Sequence, residues 1–351
     1  MFHDSQDESY ESLKHLVNPV QIYMKRYRIC FLGFGNVGRA LARLFASKSA
    51  ELRERYGIEW EIVGVATRRM GWRASGDAID VTRLDETASV QSIDEWLALA
   101  RPDVVFETTS LNPETGQPAI EYLRKSLQAG AHTITANKAP IVYAYDELNE
   151  IAIAQGRRLM FEATVLDSAP VFSLFRETLP AVRVRGFSGA FNSTTNVIIE
   201  TMEAGRSFDE GVKTAQELGV AETDPSHDVD GWDSIMKVCA IARVILRAPL
   251  LPANVRREGI RGLDPATLQA ARAEGKPYKL LSRATVNADG SVTASVRPEQ
   301  IAATDPLGVR GTSLAIHFEL DMMPGLTIVS HRPNLQSTAY GLLADFVNAV
   351  N

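Results

Sequence analysis

Between Gly219 and Lys237 the chain reads GVAETDPSHDVDGWDSIMK, five carboxylates and one lysine, and then enters the apolar run VCAIARVIL. Asp233 and Lys237 are four residues apart, so on a helix they share a face. Burying either charge costs several kcal/mol unless it is paired. A lysine placed there is pulled two ways: burial lowers its pKa and neighbouring carboxylates raise it. Such a group can pass a proton to or from a substrate hydroxyl, while the carboxylates, Glu222 foremost, can hold a cationic amine. The same residues also fit a structural ion pair behind an acidic capping loop, Asp224 to Asp230. On spacing alone that reading is favoured, because structural pairs perturb pKa values too.

A second constellation is Gly33-Phe34-Gly35-Asn36-Val37-Gly38, which has the GxGxxG spacing between a predicted strand and a predicted helix. The first glycine permits a tight turn, the second lets backbone approach a pyrophosphate, and the third lets helix and strand pack closely. A helix-start turn with no ligand is the alternative. A site selective for NAD would carry Asp or Glu at the end of the next strand. The chain has Ala66-Thr67-Arg68-Arg69 there, so Arg68 is expected to favour the 2′-phosphate of NADP, unless both arginines are simply solvated.

Positioning these groups requires a sheet. Arg28–Leu32, Glu61–Ala66, Asp103–Glu107, His132–Thr135 and Leu159–Val165 read as strands, with helices over Val37–Lys48, Gln117–Ala129 and Asp146–Gln155. This alternation predicts an α/β, Rossmann-type, doubly wound parallel sheet. After about residue 166 the rhythm becomes α+β. Strand-like runs cover Val182–Phe191, Tyr278–Val286, Ser291–Val296, Leu314–Leu320 and Leu326–Ser330. Helices are predicted near Thr194–Ala204, Phe208–Leu218 and Gly231–Leu246, and a closing helix over Thr338–Val350.

With 351 residues the chain can hold two cores. A net charge of -6 gives no sign of a nucleic-acid surface. No apolar run approaches the roughly 20 residues that span a bilayer, and the acidic start MFHDSQDESYESLKHL does not read as a signal peptide. Cys30 and Cys239 sit in apolar runs and read as reduced thiols of a cytoplasmic protein, neither placed as a nucleophile. His132 and His227 have no histidine partner at ligand spacing, so no transition-metal site is expected.

The segments Glu107-Thr-Thr-Ser-Leu-Asn-Pro-Glu-Thr-Gly-Gln-Pro118, His132-Thr-Ile-Thr-Ala-Asn-Lys-Ala-Pro140, Glu162-Ala-Thr-Val165 and Asn192-Ser-Thr-Thr-Asn196, in this order with the acidic segment, resemble the homoserine dehydrogenase family. The resemblance runs from about Arg28 to the C-terminus. It implies a dinucleotide-binding domain over 27–165, completed by a C-terminal helix at 336–351. It further implies an α+β substrate and dimerisation domain over 166–335. Residues 1–26, by their own composition, read as an N-terminal extension ahead of both domains. The implied reaction interconverts homoserine and aspartate semialdehyde with NADP or NAD, in a homodimer acting on a small hydroxy amino acid. Carried over by motif, Lys237 transfers the proton beside Asp233, and Lys138 lies near cofactor and substrate. Glu222 and Asp228, with Asn192 and Thr194, fall in the substrate pocket, and Thr108 and Thr109 at the nicotinamide end.

Three loops depart from the family pattern: Leu166-Asp-Ser-Ala-Pro170, Ser193, and Ser330-His-Arg-Pro-Asn-Leu335 stand where glycines are usual. Such changes should reshape the pocket. They keep open a related dehydrogenase acting on another small hydroxy compound. A non-catalytic dinucleotide-binding protein is the remaining alternative, and it would not need Glu222, Asp233, Lys237 and Lys138 together.

Overall fold

The computed structural model describes residues 23–302 and 304–351. Residues 1–22 of the predicted extension lie outside the described residues, and the first strand begins at Lys25, two residues before the predicted boundary.

The chain begins with β1 (Lys25–Leu32), α1 (Asn36–Ser47), α2 (Ser49–Tyr56) and β2 (Ile58–Thr67). Next come the short strands β3 (Gly71–Ala74) and β4 (Ser89–Val90), then α3 (Ile93–Ala100) and β5 (Val104–Glu107). The sequence α4 (Ala119–Gln128), β6 (His132–Thr135), α5 (Lys138–Ala154) and β7 (Leu159–Met160) completes a sheet of order β4-β3-β2-β1-β5-β6-β7. β2, β1, β5, β6 and β7 run parallel, whereas β3 and β4 add an antiparallel edge. Ile29, Phe31, Val104 and Phe106 are fully buried, as expected when helical crossovers cover both faces of a parallel sheet.

One consequence of this register places the chemistry. Leu32 pairs with Glu107, and Glu107 pairs with Thr135. The segments that follow, starting at Gly33, Thr108 and Ala136, therefore emerge side by side at the carboxyl edge. The chain leaves β1 toward β2 on one side and returns to β5 on the other, which opens a ligand-binding crevice at that point.

The second part contains β8 (Val184–Ala190), α6 (Ser193–Glu203), α7 (Phe208–Glu217), α8 (Ser226–Val229) and α9 (Trp232–Ile245). It continues with β9 (Arg256–Arg257), α10 (Pro265–Ala273), β10 (Tyr278–Val286), β11 (Val292–Gln300), β12 (Leu314–Leu320) and β13 (Leu326–Ser330). The sheet order is β13-β12-β8-β10-β11-β9, with antiparallel neighbours except β11 and β9. Finally α11 (Leu335–Val350) returns to the first sheet, where Phe346 packs edge-on against Tyr27 and Phe45 with ring centroids 5.7 and 5.1 Å apart.

Two predicted elements are corrected. The strand expected over Leu159–Val165 ends at Met160, and a 3₁₀ turn covers Glu162–Thr164. The turn directs the Glu162 carboxylate inward, where it accepts the amides of Phe172 and Ser173 at 2.6 and 2.8 Å. The helix expected over Asp146–Gln155 begins at Lys138 instead, capped by Asn137, whose side chain accepts the amide of Ala139 at 3.1 Å. Pro140 is tolerated because it falls in the first turn, where amides have no intrahelical partner. A break at Ala144, φ -139°, separates the two halves of α5.

Candidate active site

The glycine loop has the geometry its spacing predicts. Gly33 holds φ +89°, and a Cβ added to it would lie 2.6 Å from the carbonyl oxygen of Thr108. Nothing lies within 4 Å of a Cβ built on Gly35, so the loop is open on the side a ligand would approach. Gly35 caps α1 with no side-chain hydrogen bond, and no acidic residue occupies the first turn. The amides that begin at Asn36 and Val37 are thus free to bind an anion, so these residues fit a dinucleotide pyrophosphate. The side chain of Phe34 is buried against Phe31, leaving its backbone to face the loop. Thr108 Oγ1 donates to the carbonyl of Gly33 at 2.9 Å and ties the two loops together. Because the clash at Gly33 is with backbone, Gly33→Ala is expected to weaken NADPH binding at least about tenfold and to cost roughly 2 kcal/mol of stability. Fluorescence titration and urea unfolding check both effects.

Beyond this loop lies a cleft of about 600 Å³ lined by Val37, Thr108, Thr109, Lys138, Asn192, Thr194, Glu222, Asp228, Asp233 and Lys237. Residues more than 100 positions apart in sequence converge here. A larger groove of about 930 Å³, bordered by Tyr145, Arg158 and Arg247, contains none of the predicted site residues. Arg68 stands outside the cleft, exposed in the turn after β2.

Asp233 is the hub of the cleft. Its Oδ2 lies 2.9 Å from Lys237 Nζ and its Oδ1 3.3 Å from Lys138 Nζ. Asn192 Nδ2 donates to Asp233 at 3.1 Å and to Asp228 at 2.6 Å, while Asn192 Oδ1 caps α6 by accepting the amide of Thr195. Thr194 Oγ1 lies 2.6 Å from the Val220 carbonyl and 3.1 Å from Asp228 Oδ2. Burial works against the Asp233 carboxylate, but the two lysines and Asn192 outweigh it and hold its pKa below the usual range. Asp228 moves the other way, raised by burial and then by the charge of Asp233.

Lys237 has a side chain only 12% exposed. Besides Asp233, it donates to the carbonyl of Phe191 at 2.7 Å. An ammonium has three donors, so one hydrogen of Lys237 is left for the cleft. Burial pulls its pKa down, and Asp233, Asp167 and Asp228 more than restore it, so the net shift is upward. Thr109 donates its amide, at 2.8 Å, and its hydroxyl to Glu107, which is fully buried and also accepts from Thr135 at 2.6 Å.

The acidic segment therefore divides into two groups. Glu222, Asp228 and Asp233 line the cleft. Asp224 instead accepts the amide and hydroxyl of Ser226, and Asp230 pairs with Arg261 at 2.7 Å, so those two carboxylates follow the structural reading. The cleft also includes Asp167 and Ser193, from the altered loops expected to reshape the pocket, and Thr338, for which the sequence gives no role.

Residues 170–347 match the family profile described as homoserine dehydrogenase, and residues 33–162 match the homoserine dehydrogenase NAD-binding domain. The chain is 32% identical over 339 residues to an NAD(+)-dependent homoserine dehydrogenase of Pseudomonas canavaninivorans, covering 93% of this chain and 96% of that protein. It is 31% identical to a homoserine dehydrogenase of Methanocaldococcus jannaschii, covering 92% and 98%. Among solved structures, a hyperthermophilic archaeal homoserine dehydrogenase in complex with NADPH matches with a TM-score of 0.77 and 25% identity, covering 93% of this chain and 98% of that one. A homoserine dehydrogenase from Thiobacillus denitrificans matches with a TM-score of 0.79 and 26% identity, covering 93% and 74%.

Proposed function

Given that the chain belongs to the homoserine dehydrogenase family of NAD(P)-dependent oxidoreductases, we propose that Lys237 is the group that moves the substrate's hydroxyl proton. The observation that carries this reading is the ammonium with one hydrogen unassigned: Asp233 and the Phe191 carbonyl fix the other two. When bound, the nicotinamide supplies the hydride acceptor for L-homoserine or the donor for L-aspartate 4-semialdehyde. Lys237, charged, donates a proton to the aldehyde oxygen; neutral, it accepts one from the alcohol. Lys138 balances the other oxygen of Asp233, which keeps that carboxylate ionised. Glu222 and Asp228 bind the substrate amine, and Asn192 and Thr194 hold Asp228 in position.

Gly33 to Gly38, Thr108 and Thr109 serve the dinucleotide. NADP is the favoured form, because the end of β2 presents Arg68 and no carboxylate. The NAD(+)-dependent relative supports the other choice, and Arg68→Gln separates the two. A selective rise in KM for NADP, about tenfold with NAD unaffected, supports the guanidinium contact; equal effects on both cofactors remove it.

The same reading assigns residues 27–165 with 336–351 to dinucleotide binding and 166–335 to substrate binding and dimerisation, in a cytoplasmic homodimer. The return of α11 to the first sheet supports that division. No helix among the described residues is long and apolar enough to cross a membrane. Light scattering of the purified protein checks the dimer.

The decisive assay mixes the protein with NADP or NAD and homoserine, then with a panel of other small alcohols, and follows reduced nicotinamide. Turnover with homoserine is expected. Turnover with a different alcohol alone would replace the substrate, and binding without turnover would remove the catalytic reading.

A further inference from the structure

The loop between Val165 and Pro170 holds a carboxylate in a backbone conformation that a side chain disfavours. Asp167 has φ 56°, in the left-handed region where an L residue costs roughly 1 kcal/mol or more. Two contacts fix it there. Thr338 Oγ1 donates to Asp167 Oδ1 at 2.6 Å. The Asp167 carbonyl oxygen packs onto Gly341 of α11, only 2.7 Å from where a Cβ would be. Among the described residues no donor bonds Asp167 Oδ2, and the residue lines the same cleft as Lys237. Glycine would relax the backbone at this position, but it would leave the cleft without the charge.

We propose that Asp167 is a positioning residue that acts through Lys237: pinned by Thr338, its carboxylate shares the cleft with that ammonium and helps hold its charge there. This rests on Lys237 being the proton-transfer group. The other charged groups in the cleft are Asp233 on α9 itself, Asp228 on α8, Lys138 on α5 and Glu222 on the loop after α7. Asp233 and Asp228 are tied into the Asn192 network, so removing either disturbs more than charge. Asp167 is separable. Asparagine keeps an oxygen for Thr338, tolerates the left-handed region and removes only the charge. The direction of the effect on Lys237 agrees: burial lowers its pKa, and Asp167 is among the carboxylates, after Asp233, that raise it.

The test is the pH dependence of kcat/KM for homoserine oxidation in the full chain, with Asp167→Asn, Asp167→Gly and Lys237→Met compared. Oxidation needs a neutral Lys237, so its rate rises with pH. Removing a nearby negative charge should move that rising limb to lower pH, by about half to one unit in Asp167→Asn, and in the same direction in Asp167→Gly. A limb that stays in place, or moves to higher pH, in Asp167→Asn overturns the proposal. A purely structural bolt would give that unmoved limb, with Asp167→Gly changing thermal stability and rate equally at every pH. If Lys237→Met turns over like the wild type, the proton-transfer reading fails as well. If it is inactive and the limb does not move, only the role of Asp167 is lost.

Discussion

Replacing Lys237 with methionine is expected to lower kcat about 10²- to 10⁴-fold, the usual contribution of a positioned general acid or base. Methionine is unbranched and nearly fills the volume, so packing of α9 against its neighbours, Met236 and Val238 being buried, should survive. Two electrostatic consequences oppose one another. The substitution removes the cation nearest Asp233, leaving that carboxylate with Lys138 at 3.3 Å and Asn192 at 3.1 Å. It also removes a charge that burial penalises. The dinucleotide site, built from the Gly33 loop and α1, is untouched, so the Kd for NADPH should change less than about threefold. Stopped-flow absorbance and equilibrium titration separate the two quantities. Turnover at the wild-type rate would show that Lys237 is a structural ion pair, the reading its spacing alone favours.

A second large effect concerns stability. Asp345 on α11 is 2% exposed, and its Oδ2 accepts the amide of Glu162 at 2.8 Å. Burial, followed by the charge of Glu162, pushes its pKa up to about 8. Its folded-state pKa is thus above its unfolded value of 3.8. Stability from this group is complete below the unfolded pKa and is lost progressively as pH rises through 8, because the folded state retains a proton that the unfolded chain releases. Asp345→Asn keeps an acceptor for Glu162 and has no proton to lose. The variant's stability relative to wild type should therefore increase by about 3 kcal/mol between pH 5 and 7.5, close to the full slope for one retained proton. Urea unfolding at the two pH values measures this. Parallel pH slopes for wild type and variant would place the ionised carboxylate in the folded state.

The contrast between these two sites shows what local sequence can reveal. Asp233 and Lys237 were legible because they share one helix, where four-residue spacing brings side chains together. Asp345 gave no signal, since its partner Glu162 is 183 residues away. The glycine loop was legible because each glycine answers a local backbone demand. Asp167 was visible only as a residue in an altered loop; its left-handed backbone and its bond to Thr338 depend on the return of α11. The start of α5 at Lys138, eight residues ahead of the expected helix, is marked in the sequence only by Asn137, a recognisable cap. Asp264 followed by Pro265 is the same kind of signal, and α10, which it starts, went unread. β3 and β4 are four and two residues long, too short for period-two alternation to show. In the acidic segment, charge alone could not sort Asp224 and Asp230 from Asp228 and Asp233, because Ser226, Arg261 and Asn192 make that distinction from other turns and elements.

The most direct measurement is a crystal structure of the full chain with homoserine and NADP, solved above the pH at which the wild-type oxidation rate levels off. Lys237 Nζ is expected within about 3.2 Å of the substrate γ-oxygen, with Asp233 and the Phe191 carbonyl still bound to it. A γ-oxygen more than about 5 Å from Lys237, with no bridging water and another side chain in hydrogen-bond reach, would contradict the assignment of proton transfer to this lysine.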